Sequence, residues 1–108
     1  MSEIVHNKLV RDNIPAIITA NGDTPIWHTA DEKERLQAAL EKIVEEAKEV
    51  LESGGSIYEF ADLEETRLKV YELLGYTEEM VEAARIEKAK ERGGFLLNII
   101  LEKVITDD

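Results

Sequence analysis

Two short groups of carboxylate residues lie on either side of a Ser-Gly-Gly-Ser break near the middle of the chain. Glu46 and Glu49 are three residues apart before the break, and Glu59 and Asp62 are three apart after it. On α-helices, residues at this spacing share one face. Carboxylates that converge repel one another unless cations or protons neutralise them. Mg²⁺ and Mn²⁺ prefer hard oxygen ligands, and a site of this kind leaves room for water on the ion. The spacing therefore predicts a divalent-cation site, with Mg²⁺ as the expected ion.

The break is expected to reverse the chain and to bring the two groups opposite each other. Two consecutive glycines end one helix, and the serine that follows them opens a capping-box pattern for the next. In an antiparallel hairpin counted outward from this turn, Glu49 lies at the level of Glu59, and Glu46 lies at the level of Asp62. At a rise of about 1.5 Å per residue, the two levels are roughly 4.5 Å apart. Four carboxylates are therefore expected to converge on one small volume.

An acidic helix face is also common without any ligand, because acidic proteins carry many solvated carboxylates. The matched spacing of the two groups and the short glycine turn between them favour the cation site over this interpretation. A calcium site is disfavoured, since the chain lacks an Asp-x-Asp-x-Asp-Gly loop and helical ligands are more rigid than such a loop.

Composition limits the classes of function. The 108 residues are predicted to form one domain, residues 1–108, with a single modest core. A net charge of −11 argues against binding to a nucleic-acid polymer, although dications would allow an acidic pocket to hold a nucleotide polyphosphate. The absence of cysteine excludes disulfides, thiol chemistry and Cys-based zinc sites. No signal peptide and no apolar run of about 18–20 residues is visible, so we expect a cytoplasmic protein without a membrane partner.

Capping patterns and apolar periodicity predict an all-α fold, an antiparallel bundle of four to five helices. A short first helix with Pro15 in its first turn is expected to end at an Asn-Gly pair. The first long helix is expected to open at a capping box that runs from Thr29 to Glu32. Two further helices are expected to begin at Ser56 and Thr77.

Hydrophobic spacing predicts which faces of the two hairpin helices form the core. The first helix carries one apolar stripe, formed by Leu36, Leu40, Ile43, Val44, Ala47 and Leu51. The second helix carries another, formed by Phe60, Leu63, Tyr71 and Leu74. Glu46 and Glu49 lie on one flank of the first stripe, and Glu45 points nearly opposite to it. The apolar segment 95–101 is expected to pack on the body or on another subunit.

A polyphosphate site also needs cationic side chains, and two basic pairs are candidates. Lys88 and Arg92 are four residues apart on one helix face, although the same charges would also complement the dipole of a helix C-terminus. Lys8 and Arg11 form a second basic pair near the N-terminus. Trp27, the only tryptophan, offers either a ring that stacks on a base or a core side chain.

Taken together, these motifs resemble the signature of the all-α nucleoside triphosphate pyrophosphohydrolases, the MazG-like superfamily. That superfamily also holds phosphoribosyl-ATP pyrophosphohydrolase and dimeric dUTPases. The pattern Glu45-Glu46-x-x-Glu49, followed by Glu59-x-x-Asp62, carries the resemblance. The segments 7–15 and 88–95 are similar to the small single-domain branch called phosphoribosyl-ATP-pyrophosphohydrolase-like.

The resemblance implies roles for the acidic residues. Two or three Mg²⁺ ions, which Mn²⁺ can replace, would be bound by Glu46, Glu49, Glu59 and Asp62. Glu45 would be an auxiliary ligand or the base for the attacking water, which Glu45 or Glu46 would orient.

The resemblance also implies cationic contacts and an assembly. Lys88 and Arg92 match the positions that hold the substrate phosphates. Lys8, Arg11 and Asp12 match a motif whose role in substrate binding is less settled. The family forms homodimers or homotetramers, in which helices of two subunits complete each pocket.

The predicted function is Mg²⁺-dependent hydrolysis of a (deoxy)nucleoside triphosphate to the monophosphate and pyrophosphate. Two alternatives stay open. One is a phosphoribosyl-ATP pyrophosphohydrolase of the same fold, and the other is a non-catalytic, acidic helical interaction module that binds a basic protein. Metal dependence separates the module from the enzymes, whereas the fold does not.

Overall fold

A computed structural model describes residues 2–107, which contain four α-helices and no β-strand. The helices are α1 (Ile14–Ala20), α2 (Glu32–Glu52), α3 (Ile57–Leu74) and α4 (Glu78–Arg92). The all-α class is therefore confirmed, while the four- to five-helix bundle and its oligomeric type stay predictions. The chain divides into two compact units, one with α1 to α3 that ends at Gly75 and one with α4 that begins at Tyr76. None of the helices in the described part of the chain is long and apolar enough to cross a membrane.

Side-chain caps fix the starts of the longer helices. The predicted start of α2 at Thr29 is wrong, because Asp31 is the cap and accepts a hydrogen bond from the Glu34 amide at 2.9 Å. A carboxylate at this position satisfies an amide that lacks a partner within the helix. Ser56 and Thr77 cap α3 and α4 as predicted.

The connection between α2 and α3 is a tight reversal of the chain. Gly54 and Gly55 have φ angles of 71° and 95°, a region that favours glycine because it has no Cβ. The Gly55 amide donates to the Val50 carbonyl at 2.9 Å, and the Ser56 amide donates to the Ser53 hydroxyl at 3.0 Å. The turn satisfies the last carbonyls of α2 in this way. As a result, α2 and α3 pack along each other as the predicted hairpin.

Few side chains are fully buried between the two hairpin helices. Within residues 2–107, the buried apolar residues are Ala39 and Val70, and the buried polar residues are Glu46 and Thr66. The Thr66 hydroxyl donates to the carbonyl of Asp62 at 3.0 Å, so this polar group is satisfied within α3. Glu46 thus occupies a central position in a thin interface.

The face of α2 that meets α3 differs from the predicted apolar stripe. Leu40, Val44 and Leu51 are 41%, 66% and 79% exposed, whereas Ala39 and Glu46 are buried. Leu36 and Ile43 of the stripe are half-buried and Ala47 is exposed, so the predicted stripe is covered only in part.

The core predicted for α3 is also covered only in part, with Leu63 and Tyr71 half-buried. Phe60 and Leu74 are 50% and 39% exposed, while Val70 is 3% exposed and Thr66 is 8% exposed. Beyond α4, Phe95 and Leu96 are 96% and 91% exposed, in a segment without regular secondary structure. Packing of this segment on another subunit stays a prediction.

We expect Gly54→Ala to lower the free energy of unfolding by about 1–2 kcal/mol, the cost of placing an L-residue in the left-handed region. The measurement is urea denaturation followed by circular dichroism at 222 nm. Gly94→Ala is the control, because Gly94 has no positive φ and no atom would lie within 4 Å of the added Cβ. Equal stability of the two variants would contradict the claim that the backbone conformation at Gly54 disfavours residues with a Cβ.

Candidate metal centre

Three carboxylates from the two hairpin helices meet at one point. Glu46 and Glu49 of α2 and Glu59 of α3 each offer one carboxylate oxygen, and these three oxygens all lie within 4.8 Å of one another. Glu46 is 5% exposed, and the other two residues are half-buried. The structure thus brings together three of the four residues that the spacing predicted to converge.

Glu46 has one oxygen that lacks a hydrogen-bond donor. Its Oε1 lies 3.2 Å from the Lys42 ammonium, whereas its Oε2 is buried with no hydrogen-bond partner. Burial is the largest cause of a raised pKa at Glu46; the Lys42 ion pair opposes this shift and the nearby Glu49 adds to it. A buried polar atom without a partner is unfavourable. A cation or a proton at this oxygen would remove the penalty.

Lys42 is a residue of the carboxylate cluster that the sequence analysis missed. Its ammonium lies 3.2 Å from Oε2 of Glu45 and 3.2 Å from Oε1 of Glu46. Burial opposes the charged form of Lys42, but hydrogen bonds and ion pairs with these two carboxylates outweigh it, and the pKa is raised. Spacings of three and four residues on one helix could have revealed this contact. Lys42 is thus the cation built into the buried side of the site.

Glu45 is outside the group of three and is held by two lysines. Its Oε1 lies 2.7 Å from the ammonium of Lys8, and its Oε2 accepts from Lys42. The hydrogen bond from Lys8 is the main cause of a lowered pKa at Glu45. Both oxygens of this carboxylate therefore already have cationic partners.

Asp62 also lies outside the group of three. Its Oδ1 accepts a hydrogen bond from the Arg11 guanidinium at 2.7 Å, and both side chains are partly exposed. The N-terminal basic pair therefore reaches both helices, with Lys8 on Glu45 of α2 and Arg11 on Asp62 of α3. The sequence analysis predicted that Lys8 and Arg11 contact the substrate. In the structure, these side chains form ion pairs with carboxylates of the hairpin.

The remaining predicted residues lie on exposed surfaces. Asp12 is exposed just before α1, and Trp27 is 65% exposed in the irregular segment between α1 and α2. Lys88 and Arg92 are exposed on α4, in the second compact unit. The roles assigned to these four residues stay predictions.

A cavity of about 330 Å³ lies at the opposite end of the hairpin from the carboxylates. It is lined by Glu32, Arg35, Leu36, Glu72 and Leu73. Glu32 and Glu46 are fourteen residues apart on α2, which corresponds to about 21 Å along the helix axis. The cavity is therefore no part of the carboxylate site.

The donor set fits a divalent cation. Carboxylate oxygens from two rigid helices are ligands that Mg²⁺ and Mn²⁺ prefer, and the unpartnered oxygen of Glu46 supplies a ligand atom with no competing donor. Five carboxylates face three cationic side chains in this network, which leaves two negative charges unbalanced. One dication would neutralise them.

Comparison of the chain with protein-family models, curated proteins and solved structures finds no match. Membership of the MazG-like superfamily therefore stays a prediction, which rests on the resemblance of the sequence motifs.

In metal-free buffer with EDTA, we expect Glu49→Gln to raise the melting temperature by about 4–8 °C. Removal of one charge from carboxylates within 4.8 Å relieves repulsion of about 1 kcal/mol or more. Differential scanning calorimetry measures the change. Glu65→Gln is the control, because Glu65 is exposed on α3 and does not belong to the group of three. A melting temperature that is unchanged or lower in Glu49→Gln would mean that these carboxylates do not repel one another.

Proposed function

We propose that the protein hydrolyses a (deoxy)nucleoside triphosphate to the monophosphate and pyrophosphate, with Mg²⁺ or Mn²⁺ as the cofactor. The observation that carries this proposal is the group of Glu46, Glu49 and Glu59, in which one oxygen of the buried Glu46 has no partner. The acidic and basic motifs that resemble the MazG-like superfamily supply the reaction type. The site geometry supplies the reason to expect a cation.

In this proposal, Glu46, Glu49, Glu59 and Asp62 would hold the cations. Bound dications would supply positive charge that offsets the negative charge of the phosphates. Glu46, Glu49 and Glu59 already converge from the two helices, so these three carboxylates would need little rearrangement for binding. Lys88 and Arg92 are the residues that the resemblance assigns to the phosphates, where they would stabilise the pyrophosphate leaving group.

The attacking water is assigned to Glu46 rather than to Glu45. Both oxygens of Glu45 are held by lysines and its pKa is lowered, so Glu45 is a weak proton acceptor. Glu46 keeps an oxygen without a donor, which would hold a cation and so fix the position of a water beside it. Glu45 then acts as a positioning residue, because it holds Lys42 beside Glu46.

We also propose that the protein is a homodimer or homotetramer. Leu40, Val44 and Leu51 form an exposed apolar stripe on α2, beside the face that meets α3. Two copies with a net charge of −11 repel each other, so their contact requires an apolar surface of this kind. A second copy on this stripe would bury the second face of α2 and stabilise the hairpin that carries the carboxylates.

We expect pyrophosphate release from at least one member of a panel of the eight common dNTPs and NTPs, in the presence of Mg²⁺ or Mn²⁺ and not with EDTA. Glu49→Gln and Asp62→Asn should each lower turnover at least about 100-fold, since even residues around metal ligands change activity by about 10–100-fold. Glu65→Gln should retain turnover, and circular dichroism should show intact helices in all three variants. Full activity of Glu49→Gln or Asp62→Asn would contradict the site assignment.

The same panel separates the two alternatives. Metal that raises the melting temperature without any release would direct the search to phosphoribosyl-ATP and modified nucleotides. Neither release nor a metal-dependent rise in melting temperature would favour the acidic interaction module.

We expect Val44→Glu to convert the oligomer to a monomer, as measured by size-exclusion chromatography with light scattering. A charge placed in an apolar contact without a partner costs on the order of 3–5 kcal/mol. Thr19→Glu is the control, because it adds the same charge at an exposed position on α1. A wild-type chain that is monomeric throughout, or a Val44→Glu variant with unchanged mass, would contradict the proposed assembly.

A further inference from the structure

We propose that Arg11 is a built-in counter-ion of Asp62, which a divalent cation displaces when it binds. The N-terminal segment and the metal would then compete for the same carboxylate. This inference rests on the proposed function, because Asp62 is contested only if it joins the metal ligands.

The position of Asp62 supports this exchange. Asp62 follows Glu59 by one helical turn on α3, a rise of about 4.5 Å, and therefore lies next to the group of three carboxylates. Its carboxylate stands outside that group while it accepts from the Arg11 guanidinium at 2.7 Å. The predicted fourth ligand is thus engaged by a cation of the chain itself.

The attachment of the N-terminal segment supports it as well. Residues 8–11 place Lys8 on Glu45 of α2 and Arg11 on Asp62 of α3, so one irregular segment bridges the hairpin at the site. Between them, Leu9 is only half-buried. Loss of the Arg11 contact would leave Lys8 in place, since Glu45 lies outside the group of three and is also held by Lys42.

The strength of the Arg11 pair suits an exchange rather than a permanent contact. The side chains of Arg11 and Asp62 are 55% and 43% exposed, and exposed ion pairs contribute little because water screens them. A dication carries twice the charge of the guanidinium and is attracted by several carboxylates at once. Once a cation lies among these carboxylates, it repels the guanidinium, so the two do not share Asp62.

The test is the Mn²⁺ affinity of the full chain without nucleotide, measured from the free-ion signal in electron paramagnetic resonance. Arg11→Gln should bind Mn²⁺ about two- to fivefold more tightly than the wild type, the range that an exposed ion pair allows. Arg85→Gln is the matched control, since it removes the same charge from an exposed Arg–Glu pair, with Glu82, on α4. Its affinity should equal that of the wild type.

A double-mutant cycle shows whether Asp62 is the contested residue. In an Asp62→Asn background, Arg11→Gln should leave the Mn²⁺ affinity unchanged, because no carboxylate remains to be released. A gain that persists in this background would show a general effect of charge and would overturn the inference. So would an Arg11→Gln variant that binds Mn²⁺ equally or more weakly than the wild type, as expected if Arg11 orients Asp62 as a ligand.

Failure of the inference and failure of the proposed function give different results. Wild-type protein that binds no Mn²⁺ overturns the metal site and this inference with it. Mn²⁺ binding that Glu49→Gln weakens and Arg11→Gln leaves unchanged preserves the metal site and overturns the competition alone.

Discussion

The burial of the Glu46 carboxylate between α2 and α3 is the constraint on which the site depends. Burial of a charge requires compensation by partners within the protein, and Lys42 contacts only one of the two oxygens. An apolar residue at this position would pack between the helices without that cost. Stability of the hairpin therefore does not explain Glu46, whose unpartnered oxygen a cation or a proton would satisfy. Perturbed carboxylates of this kind are typical of functional sites.

The thin core of the hairpin links the site to the proposed assembly. Ala39 and Glu46 are buried in the hairpin, and the packing of α2 on α3 brings Glu59 toward Glu46 and Glu49. The same arrangement leaves the larger apolar side chains of α2, such as Val44, on another face. Two buried apolar residues within the described part of the chain contribute little to the stability of the hairpin that carries the carboxylates. A second copy on that face would supply the missing burial, and with it the precision that metal ligation requires.

The negative charge of the carboxylates is balanced by two kinds of cationic side chain, one largely buried and two exposed. Lys42 is a neighbour on the same helix, largely buried, and is fixed between Glu45 and Glu46. Lys8 and Arg11 come from an irregular segment and form more exposed ion pairs. Lys42 is therefore suited to hold the Glu45 and Glu46 carboxylates in fixed positions. The exposed pairs are weak enough to exchange with a ligand.

The sequence by itself determined the all-α class, the reversal at the two glycines and the convergence of three carboxylates, because these depend on local spacing, helix rise and turn chemistry. The pairing of Lys42 is equally local, because its partners lie three and four residues along the same helix. Which face of α2 meets α3 depends on how closely two helices approach, and hydrophobic spacing does not encode that distance. The pairing of Arg11 with Asp62 joins residues 51 positions apart. Only the tertiary structure decided it, because the path of an irregular segment is set by the surface on which it lies.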